Sequence, residues 1–318
     1  MRAIALILIL ASTACQSAAQ QSAHQWTMIV PPGRGAFEDA WQPDRWPMGA
    51  HPIAGPSGQL WMVGISTVWE SADALRWHIA GQLPDPVREG STPVYHAGRL
   101  WVIGGQTGDR FVSDVWSSAD GRHWERSPDA RWSGRRAPAL ASFRGWLWLF
   151  GGENAIQLND VWRSRDGNQW EQVTARSPWP PESQPIPVVF RDSVWAFGGS
   201  SWSARDAHVW VSADGERWER VVSSAPWGPR VYVGALTFDD HLWILGGVHP
   251  DGRRLNDVWS SRTGHEWCQV AAAAPWTRRA GNRAVVYRTA LWLFGGKGEE
   301  EKGQSGYASD VWRLHRNP

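Results

Sequence analysis

Four arginines and one glutamate occupy the same place in successive segments of the sequence. Each lies thirteen residues before a tryptophan, and the set is Arg88, Arg135, Glu182, Arg230 and Arg279. The corresponding position of the first segment holds Met48. Guanidinium groups that converge bind a carboxylate or phosphate through paired hydrogen bonds, and a glutamate among them can act as an acid or a base. This chemistry requires a fold that brings the five positions together.

Tryptophan itself repeats along the chain, with 26 indoles against 4 tyrosines and 8 phenylalanines in 318 residues. Three sets recur in steps of 40 to 53 residues. Each tryptophan of the first set is followed closely by a glycine, and the set comprises Trp61, Trp101, Trp148, Trp195, Trp243 and Trp292. The second lies in Val-Trp pairs (Trp69, Trp116, Trp162, Trp210, Trp259, Trp312), and the third ends a turn phrase (Trp77, Trp124, Trp170, Trp218, Trp267). Such a period is typical of a propeller or a solenoid.

Each unit reads as four short strands joined by turns. In residues 135–173 the segments RAPALASF, LWLFGG, DVWRSR and QWEQV predict strands a, b, c and d, and Asp166-Gly167 predicts a hairpin turn. Four antiparallel strands form a propeller blade. Strand b is apolar on both faces, as expected for a sheet covered by a neighbour on each side. We attribute the tryptophan excess to the wedge-shaped gaps between blades, which need bulky side chains.

The last unit lacks a strand d, because the sequence ends with DVWRLHRNP. The segment QWTMIV (residues 25–30) matches the strand d segments of the other units. The sequence therefore predicts an all-β fold: a six-bladed β-propeller in which the N-terminal strand completes the last blade. Closure of this kind removes exposed sheet edges.

The unit of an arginine opening strand a, an aromatic residue in strand b, a double glycine and aromatic residues in strands c and d resembles the kelch repeat. The double glycine occurs in five units, at residues 104–105, 151–152, 198–199, 246–247 and 295–296. The first unit departs from the pattern with Gly64-Ile65. The phrase Ser-x-Asp-Gly-x-x-Trp is also similar to the Asp-box of sialidases, which implies a structural turn and no catalytic role for Asp120 or Asp166.

The kelch resemblance places the d–a and b–c connections on one face, around the mouth of the central channel. That face is the expected binding face, since its loops are the long and variable ones. The five repeat positions would then either face a ligand at the inner rim or tie blade to blade, as the arginine of kelch repeats often does. For Glu182 the alternatives are a salt-bridge partner and a working acid or base. Four further tryptophans precede these positions by three residues and would either stack on sugars or cap the blade edges: Trp132, Trp179, Trp227 and Trp276.

Residues 1–19 predict a signal peptide, which leaves residues 20–318 as the propeller. Arg2 precedes a nine-residue apolar run, too short to span a bilayer, and small residues follow up to Ala19. The alternative is a lipoprotein signal that ends before Cys15, with a lipid anchor on that residue. We therefore expect an exported protein, either periplasmic or anchored to the outer membrane. The second cysteine, Cys268, is then expected to be a packed thiol without a disulfide partner.

The balanced charge, formally +1, argues against nucleic acid as a partner. The chain has no phosphate-binding glycine loop, no nucleophile elbow and no histidine cluster with metal-ligand spacing. We therefore expect no metal and no cofactor. The loop KGEEEKGQSGY (residues 297–307) is interpreted as a solvated charge run, with divalent-ion binding as the alternative.

These observations predict a monomeric ligand- or protein-binding module that acts through the d–a and b–c face. The expected partner is an anionic small molecule or sugar, or a protein of the cell envelope. The alternative is an enzyme: the resemblance extends to N-acetylneuraminate epimerases and to galactose-oxidase-like propellers. A cofactor-independent sugar mutarotase would use Glu182 with Arg135 or Arg230, whereas the copper-radical oxidases need a Cys–Tyr crosslink and further domains. A structural envelope role is the third interpretation.

Overall fold

The computed structural model describes residues 24–31, 50–84, 88–181, 185–198, 206–298, 306 and 308–316. Within these ranges all regular secondary structure is β-strand. In chain order the strands are β1 (His24–Val30), β2 (His51–Ala54), β3 (Leu60–Val63), β4 (Thr67–Ser71), β5 (His78–Gln82), β6 (Thr92–His96), β7 (Arg99–Ile103), β8 (Gln106–Thr107), β9 (Arg110–Phe111), β10 (Val115–Ser118), β11 (Glu125–Arg126), β12 (Ala139–Phe143), β13 (Trp146–Glu153), β14 (Gln157–Ser164), β15 (Glu171–Thr174), β16 (Ile186–Phe190), β17 (Ser193–Phe197), β18 (Val209–Ser212), β19 (Glu219–Val222), β20 (Gly234–Phe238), β21 (His241–Val248), β22 (Arg254–Ser261), β23 (Cys268–Ala271), β24 (Arg279–Ala280), β25 (Arg283–Tyr287), β26 (Ala290–Phe294), β27 (Lys297–Gly298) and β28 (Val311–Arg316).

The strands form six antiparallel sheets, each with a core of four strands. Blade 1 is β2-β3-β4-β5, blade 2 is β6-β7-β10-β11, blade 3 is β12 to β15, blade 4 is β16 to β19, blade 5 is β20 to β23, and blade 6 is β25-β26-β28-β1. The strands β24 and β27 extend the sheet of blade 5, and β8 and β9 form a small hairpin in a b–c loop. The first strands of the blades are neighbours in a closed order, β2, β6, β12, β16, β20, β25 and β2 again. The prediction of an all-β, six-bladed β-propeller is confirmed.

A separate hydrophobic cluster fills each of the six gaps between neighbouring blades. The indole of Trp148 in blade 3 shows the arrangement: it is 1% exposed and packs with Val194 and Ala196 of blade 4. A Cβ on Gly215, in the c–d turn of blade 4, would lie 2.5 Å from this ring. The turn glycine therefore provides a left-handed backbone (φ +81) and also the room that the neighbouring indole needs.

The indole N–H groups of strand b remain satisfied inside these clusters. Trp148 donates its Nε1–H to the carbonyl of Phe143, five residues earlier, at 3.2 Å. The same bond recurs from Trp101, Trp195, Trp243 and Trp292. A buried tryptophan gains from a partner for its single donor, so the a–b turn and the wedge residue stabilise each other.

The turn between strands c and d is held by one serine and one aspartate. In blade 3 the Ser164 Oγ accepts from the Gly167 N–H at 2.9 Å, and the Asp166 Oδ1 accepts from the Asn168 and Gln169 N–H groups at 2.9 and 3.1 Å. Asp73, Asp120 and Asp214 do the same in blades 1, 2 and 4. In blade 5 Thr263 takes this place with longer contacts of 3.3 and 3.4 Å. These carboxylates serve the turns.

The strand β1 pairs antiparallel with β28, with Trp26 opposite Leu314. The Trp26 ring lies 4.3 Å from that of Trp276, in the same kind of edge-to-face contact that Trp267 makes with Trp227 in the preceding gap. His24 packs against Trp243, with ring centroids 5.5 Å apart. Residues 24–30 thus pair with the edge of the sheet that contains β25, β26 and β28.

In the full-length chain Cys268 is disulfide-bonded. The expectation of an unpaired Cys268 concerns the chain after removal of residues 1–19 and stays a prediction. The sequence contains one other cysteine, Cys15, which lies outside the described residues together with the predicted signal peptide. In the described part of the chain there is no helix with the length and apolarity needed to cross a membrane.

Candidate functional site at the d–a and b–c face

The arginine of the repeat is buried and paired inside its own blade. In blade 3 the Arg135 side chain is fully buried, and its two terminal nitrogens donate to the Asp160 carboxylate at 2.6 and 2.9 Å. Its Nη1 also donates to the carbonyl of Gly151, the first residue of the double glycine, at 2.9 Å. The same bonds link Arg88 to Asp114 and Gly104, Arg230 to Asp257 and Gly246, and Arg279 to Asp310 and Gly295.

The aspartate of each pair also receives the indole N–H of strand c. Trp162 donates to the Asp160 Oδ2 at 2.8 Å, and Trp116, Trp259 and Trp312 make the same bond in their blades. Burial alone would raise the pKa of the Asp114 carboxyl, but the hydrogen bond and charge of Arg88 outweigh burial and lower it. We call this arginine–aspartate–glycine–tryptophan unit the tie. It fixes the start of strand a to strands b and c.

The tie occurs in blades 2, 3, 5 and 6. In blade 1 the positions of the arginine and the aspartate hold Met48 and Thr67, and in blade 4 they hold Glu182 and His208. Met48 and Glu182 lie outside the described residues. Each of the four guanidinium groups is directed at the carboxylate of its own blade, so the structure does not bring them together around a common ligand. These contacts are structural, but each arginine joins strands within its own blade, whereas the structural alternative from the sequence was a tie from blade to blade.

The four tryptophans three residues earlier are also part of the core. Their exposed fractions are between 2% and 6% for Trp132, Trp179, Trp227 and Trp276. Each packs edge-to-face on the strand d indole of the same gap, for example Trp179 on Trp218 at 5.0 Å. A ring that is covered on both sides offers no face for a sugar. Their placement corresponds to the alternative in which they cap the blade edges.

In blades 2, 3, 5 and 6 the residue two positions before the inner strand lies at the mouth of the channel. Gly90, Ala137, Tyr232 and Gly281 occupy this position in blades 2, 3, 5 and 6, and all four have a left-handed backbone with φ between +49° and +69°. They are joined between blades: the Ala137 N–H donates to the Gly90 carbonyl at 2.6 Å, and the Gly281 N–H donates to the Tyr232 carbonyl at 2.8 Å. Tyr232 is the bulky member of the set, and its side chain is 59% exposed.

The first residue of each inner strand lies at the next level of the channel wall. These equivalent positions hold His51, Thr92, Ala139, Ile186, Gly234 and Arg283. Arg283 is the only arginine or lysine among these six positions. Its side chain makes no ion pair with a described carboxylate, and burial lowers its pKa to about 10, with the nearby Tyr232 acting in the opposite direction. At neutral pH this arginine is still protonated, so its positive charge is not neutralised by any carboxylate among the described residues.

His51 borders Arg283 across the gap between blades 6 and 1, since β2 and β25 are neighbours in the ring. Burial, followed by the charge of Arg283, holds the pKa of the His51 imidazole well below its usual range. At neutral pH the imidazole is therefore neutral. Sequence analysis did not single out Arg283, His51 or Tyr232, because none of them belongs to the repeat pattern.

The b–c loops add polar side chains around this mouth. Arg136 donates to Glu153 at 2.7 Å and to Gln106 of the preceding blade at 3.3 Å, which links two b–c loops. The loops at 199–205 and 299–305 lie outside the described residues, and so does most of the predicted charge run. No group of three or more metal-ligating side chains is found among the residues that are described.

The opposite face carries a cavity of about 560 Å³ at the a–b turns of blades 6 and 1. Its lining is largely backbone and apolar surface, from Ala54, Gly55, Pro56, Gly58, Tyr95, Val286, Tyr287 and Arg288. The Tyr287 hydroxyl there donates to main-chain carbonyls at 2.7 and 3.1 Å, and the Arg288 guanidinium donates to another at 2.8 Å. These polar groups already serve the turns, so this face offers fewer groups for recognition.

Fold and site together define a six-bladed β-propeller with a charged channel wall. Comparison with protein-family models gives no match, and none of the curated proteins matches the chain. A propeller of this kind fits a binding module in general.

Proposed function

We propose that the chain is an exported propeller of the kelch type that binds an anionic small molecule at the d–a and b–c face. In this proposal the ring is closed by the N-terminal strand. Support for the closure comes from the pairing of β1 with β28 and from Trp26, which packs like the strand d tryptophans of other blades. Support for the kelch type comes from the tie, which uses the arginine and the double glycine of the repeat.

One observation carries the choice of ligand and face. The mouth of the channel at this face presents an arginine, Arg283, whose charge no described carboxylate neutralises, whereas the four repeat arginines are each neutralised by an aspartate. A fixed positive charge in a partly closed channel attracts and retains an anion. The loops around the mouth differ between blades, as binding loops do.

A charge-reversal experiment tests the face. Arg110 lies exposed in the b–c hairpin of blade 2, and Arg217 lies exposed in a c–d turn on the other face. Arg110→Glu and Arg217→Glu change the net charge by the same amount. An anion that binds at the d–a and b–c face should bind several-fold more weakly to Arg110→Glu at low ionic strength, and the loss should shrink as salt is added. Calorimetric titration measures both affinities.

Equal affinities of the two variants would place the anion elsewhere and overturn the proposal. Failure of the wild-type protein to bind any member of a panel of carboxylates, phosphates and acidic sugars would overturn it as well.

A sugar mutarotase is the second candidate, favoured by the neutral imidazole of His51 beside Arg283. Ring opening of a sugar needs one acid and one base, and a neutral imidazole can serve as either. Glu182 was the sequence-based candidate for this role. Exchange of the anomers of N-acetylneuraminate, followed by NMR, tests the activity: a rate equal to that in buffer would exclude it. Capture of a cell-envelope protein by the wild-type chain would instead favour the structural role.

Export is tested on the mature protein. Cleavage after Ala19 would give a chain that begins at Gln20, and lipoprotein processing would give a lipid-modified Cys15. Intact-mass analysis of the protein from envelope and soluble fractions distinguishes the two products. An unprocessed chain in the cytoplasmic fraction would contradict export.

A further inference from the structure

Arg283 begins the inner strand of blade 6, and no carboxylate of the described residues neutralises its charge. It lies opposite Phe294 in the sheet, at the same level as His51 of the adjacent blade. Burial lowers its pKa, and no described carboxylate lies within ion-pair distance. A cation held away from water destabilises the fold unless a counter-charge reaches it. A bound anion can supply that counter-charge.

Tyr232 lies on the neighbouring blade, close enough to Arg283 to interact with its charge. Its carbonyl accepts from the Gly281 N–H at 2.8 Å, two residues before Arg283, and its phenol is the titratable group that Arg283 senses most. The ring is 59% exposed although the backbone has φ +54°. Blades 2 and 6 use Gly90 and Gly281 at this position. A bulky residue in the left-handed region costs on the order of 1 kcal/mol, so a large exposed ring here has no advantage for the backbone.

The number of charges limits the ligand. Among the six equivalent described positions of the wall there is one guanidinium and one imidazole that is neutral at neutral pH. A single planar guanidinium matches a carboxylate through two parallel hydrogen bonds, whereas a dianionic phosphate generally needs more cationic or N–H donors. The aromatic ring next to the charge favours a ligand with a flat or ring-shaped body, because such a body can stack on tyrosine.

We propose that the channel mouth binds a carboxylate carried on a ring, with the carboxylate on Arg283 and the ring against the face of Tyr232. This inference rests on the proposed function for the choice of face and adds the chemical class of the ligand. Two sources share this chemistry, an aromatic acid and an acidic sugar. The test distinguishes them.

Calorimetric titration of the full chain compares five probes. Benzoate and glucuronate carry a carboxylate on a ring, acetate lacks the ring, and benzamide and glucose lack the charge. We expect benzoate or glucuronate to bind at least tenfold more tightly than acetate and than its own neutral analogue. The better of the two identifies the source. Acetate binding as tightly as both would overturn the role of the ring.

Three variants then assign the contacts. Arg283→Gln should weaken the better probe at least thirtyfold, and Arg283→Lys, which keeps the charge but loses the planar fork, should weaken it less. Arg110→Gln, which removes an exposed arginine of the same face, should change the affinity less than twofold. Tyr232→Gly gives this blade the residue of blades 2 and 6, so the midpoint of thermal unfolding should hold or rise while affinity falls about fivefold.

The outcomes separate this inference from the proposed function. Undiminished binding to Arg283→Gln or to Tyr232→Gly would overturn the inference. If another class of anion binds and Arg110→Glu weakens it, the proposed function stands and the inference fails. If no anion binds at this face, both fail.

Discussion

Arg279 and Arg283 lie four residues apart at the entrance of blade 6, and their surroundings differ. Arg279 is fully buried and shares two hydrogen bonds with Asp310 and one with the Gly295 carbonyl. Arg283 is half-buried and makes no ion pair with a described carboxylate. The repeated arginine is paired within its blade, whereas the arginine that appears once is the one to which we assign the proposed ligand. In this repeat architecture, candidate binding residues are therefore found at departures from the repeat.

The largest predicted effect is on stability, from Arg279→Ala. Removing the guanidinium leaves the Asp310 carboxylate buried without its counter-charge, and the Gly295 carbonyl loses a donor. We expect the free energy of unfolding to fall by about 3–5 kcal/mol. Urea unfolding followed by tryptophan fluorescence measures the loss. A loss below about 1 kcal/mol would show that the tie is dispensable.

The double variant Arg279→Ala, Asp310→Ala provides a control. Each single change already leaves the other partner unpaired, so the two losses should not add. A double variant that loses the full sum of the single losses would mean that the two side chains act independently.

Arg283→Ala should change the free energy of unfolding in the opposite direction to Arg279→Ala. The same change of residue removes a charge that burial disfavours, so we expect the free energy of unfolding at neutral pH to rise by about 1 kcal/mol. The measurement is the same urea titration, in the absence of added anions. A loss as large as that of Arg279→Ala would show that Arg283 is also structural.

Thr263→Asp restores the repeat residue in the c–d turn of blade 5. The Thr263 hydroxyl accepts from two N–H groups at 3.3 and 3.4 Å, whereas Asp166 does so at 2.9 and 3.1 Å. We expect the substitution to stabilise the fold by about 0.5–1 kcal/mol, as for an aspartate that caps free N–H groups. Thermal unfolding compares the variant with Thr263→Ala, which should be less stable than the wild type. If Thr263→Asp is no more stable than the wild type, the turn aspartates contribute little.

The smallest predicted effect is a pH dependence from these turns. Burial would raise the pKa of Asp73, but the N–H groups of Arg76 and Leu75 outweigh it and lower the pKa to about 2. Because this value is below the unfolded value of about 3.9, the stabilisation is present above that value and is lost as the pH falls through about 2. Asp73→Asn should destabilise the protein by a few tenths of a kcal/mol at pH 6, and the difference should vanish near pH 2. An unchanged difference at both pH values would contradict the assignment.

The period of the tryptophans was sufficient to predict the number of blades and the four strands of each, because a wedge-shaped gap between blades requires bulky residues at fixed intervals. The partner of the repeat arginine was missed although the sequence carries a signal for it. An aspartate stands two residues before the strand c tryptophan only in the units that have the arginine, as Asp160 does with Arg135. A paired loss in units 1 and 4 indicates a paired contact.

The channel site could not be predicted in the same way. Repetition tells which positions are equivalent, but it does not tell whether a side chain finds a counter-charge after folding, and this depends on neighbouring blades. Tyr232 was nevertheless detectable as a departure, since aligned units hold Gly90, Ala137 and Gly281 at its position. Arg283 and His51 needed the structure, because their shared level follows from the strand register.

The two blades without a tie are not neighbours. The order of the inner strands puts blade 1 between blades 6 and 2, and blade 4 between blades 3 and 5, so the two are diametrically opposed. The tied blades therefore form two pairs, blades 2 and 3 and blades 5 and 6, and a blade without the tie separates the pairs on each side. Because each tie joins strands of its own blade, we expect the inner strands of blades 1 and 4 to be held less firmly at their first residues than those of the tied blades.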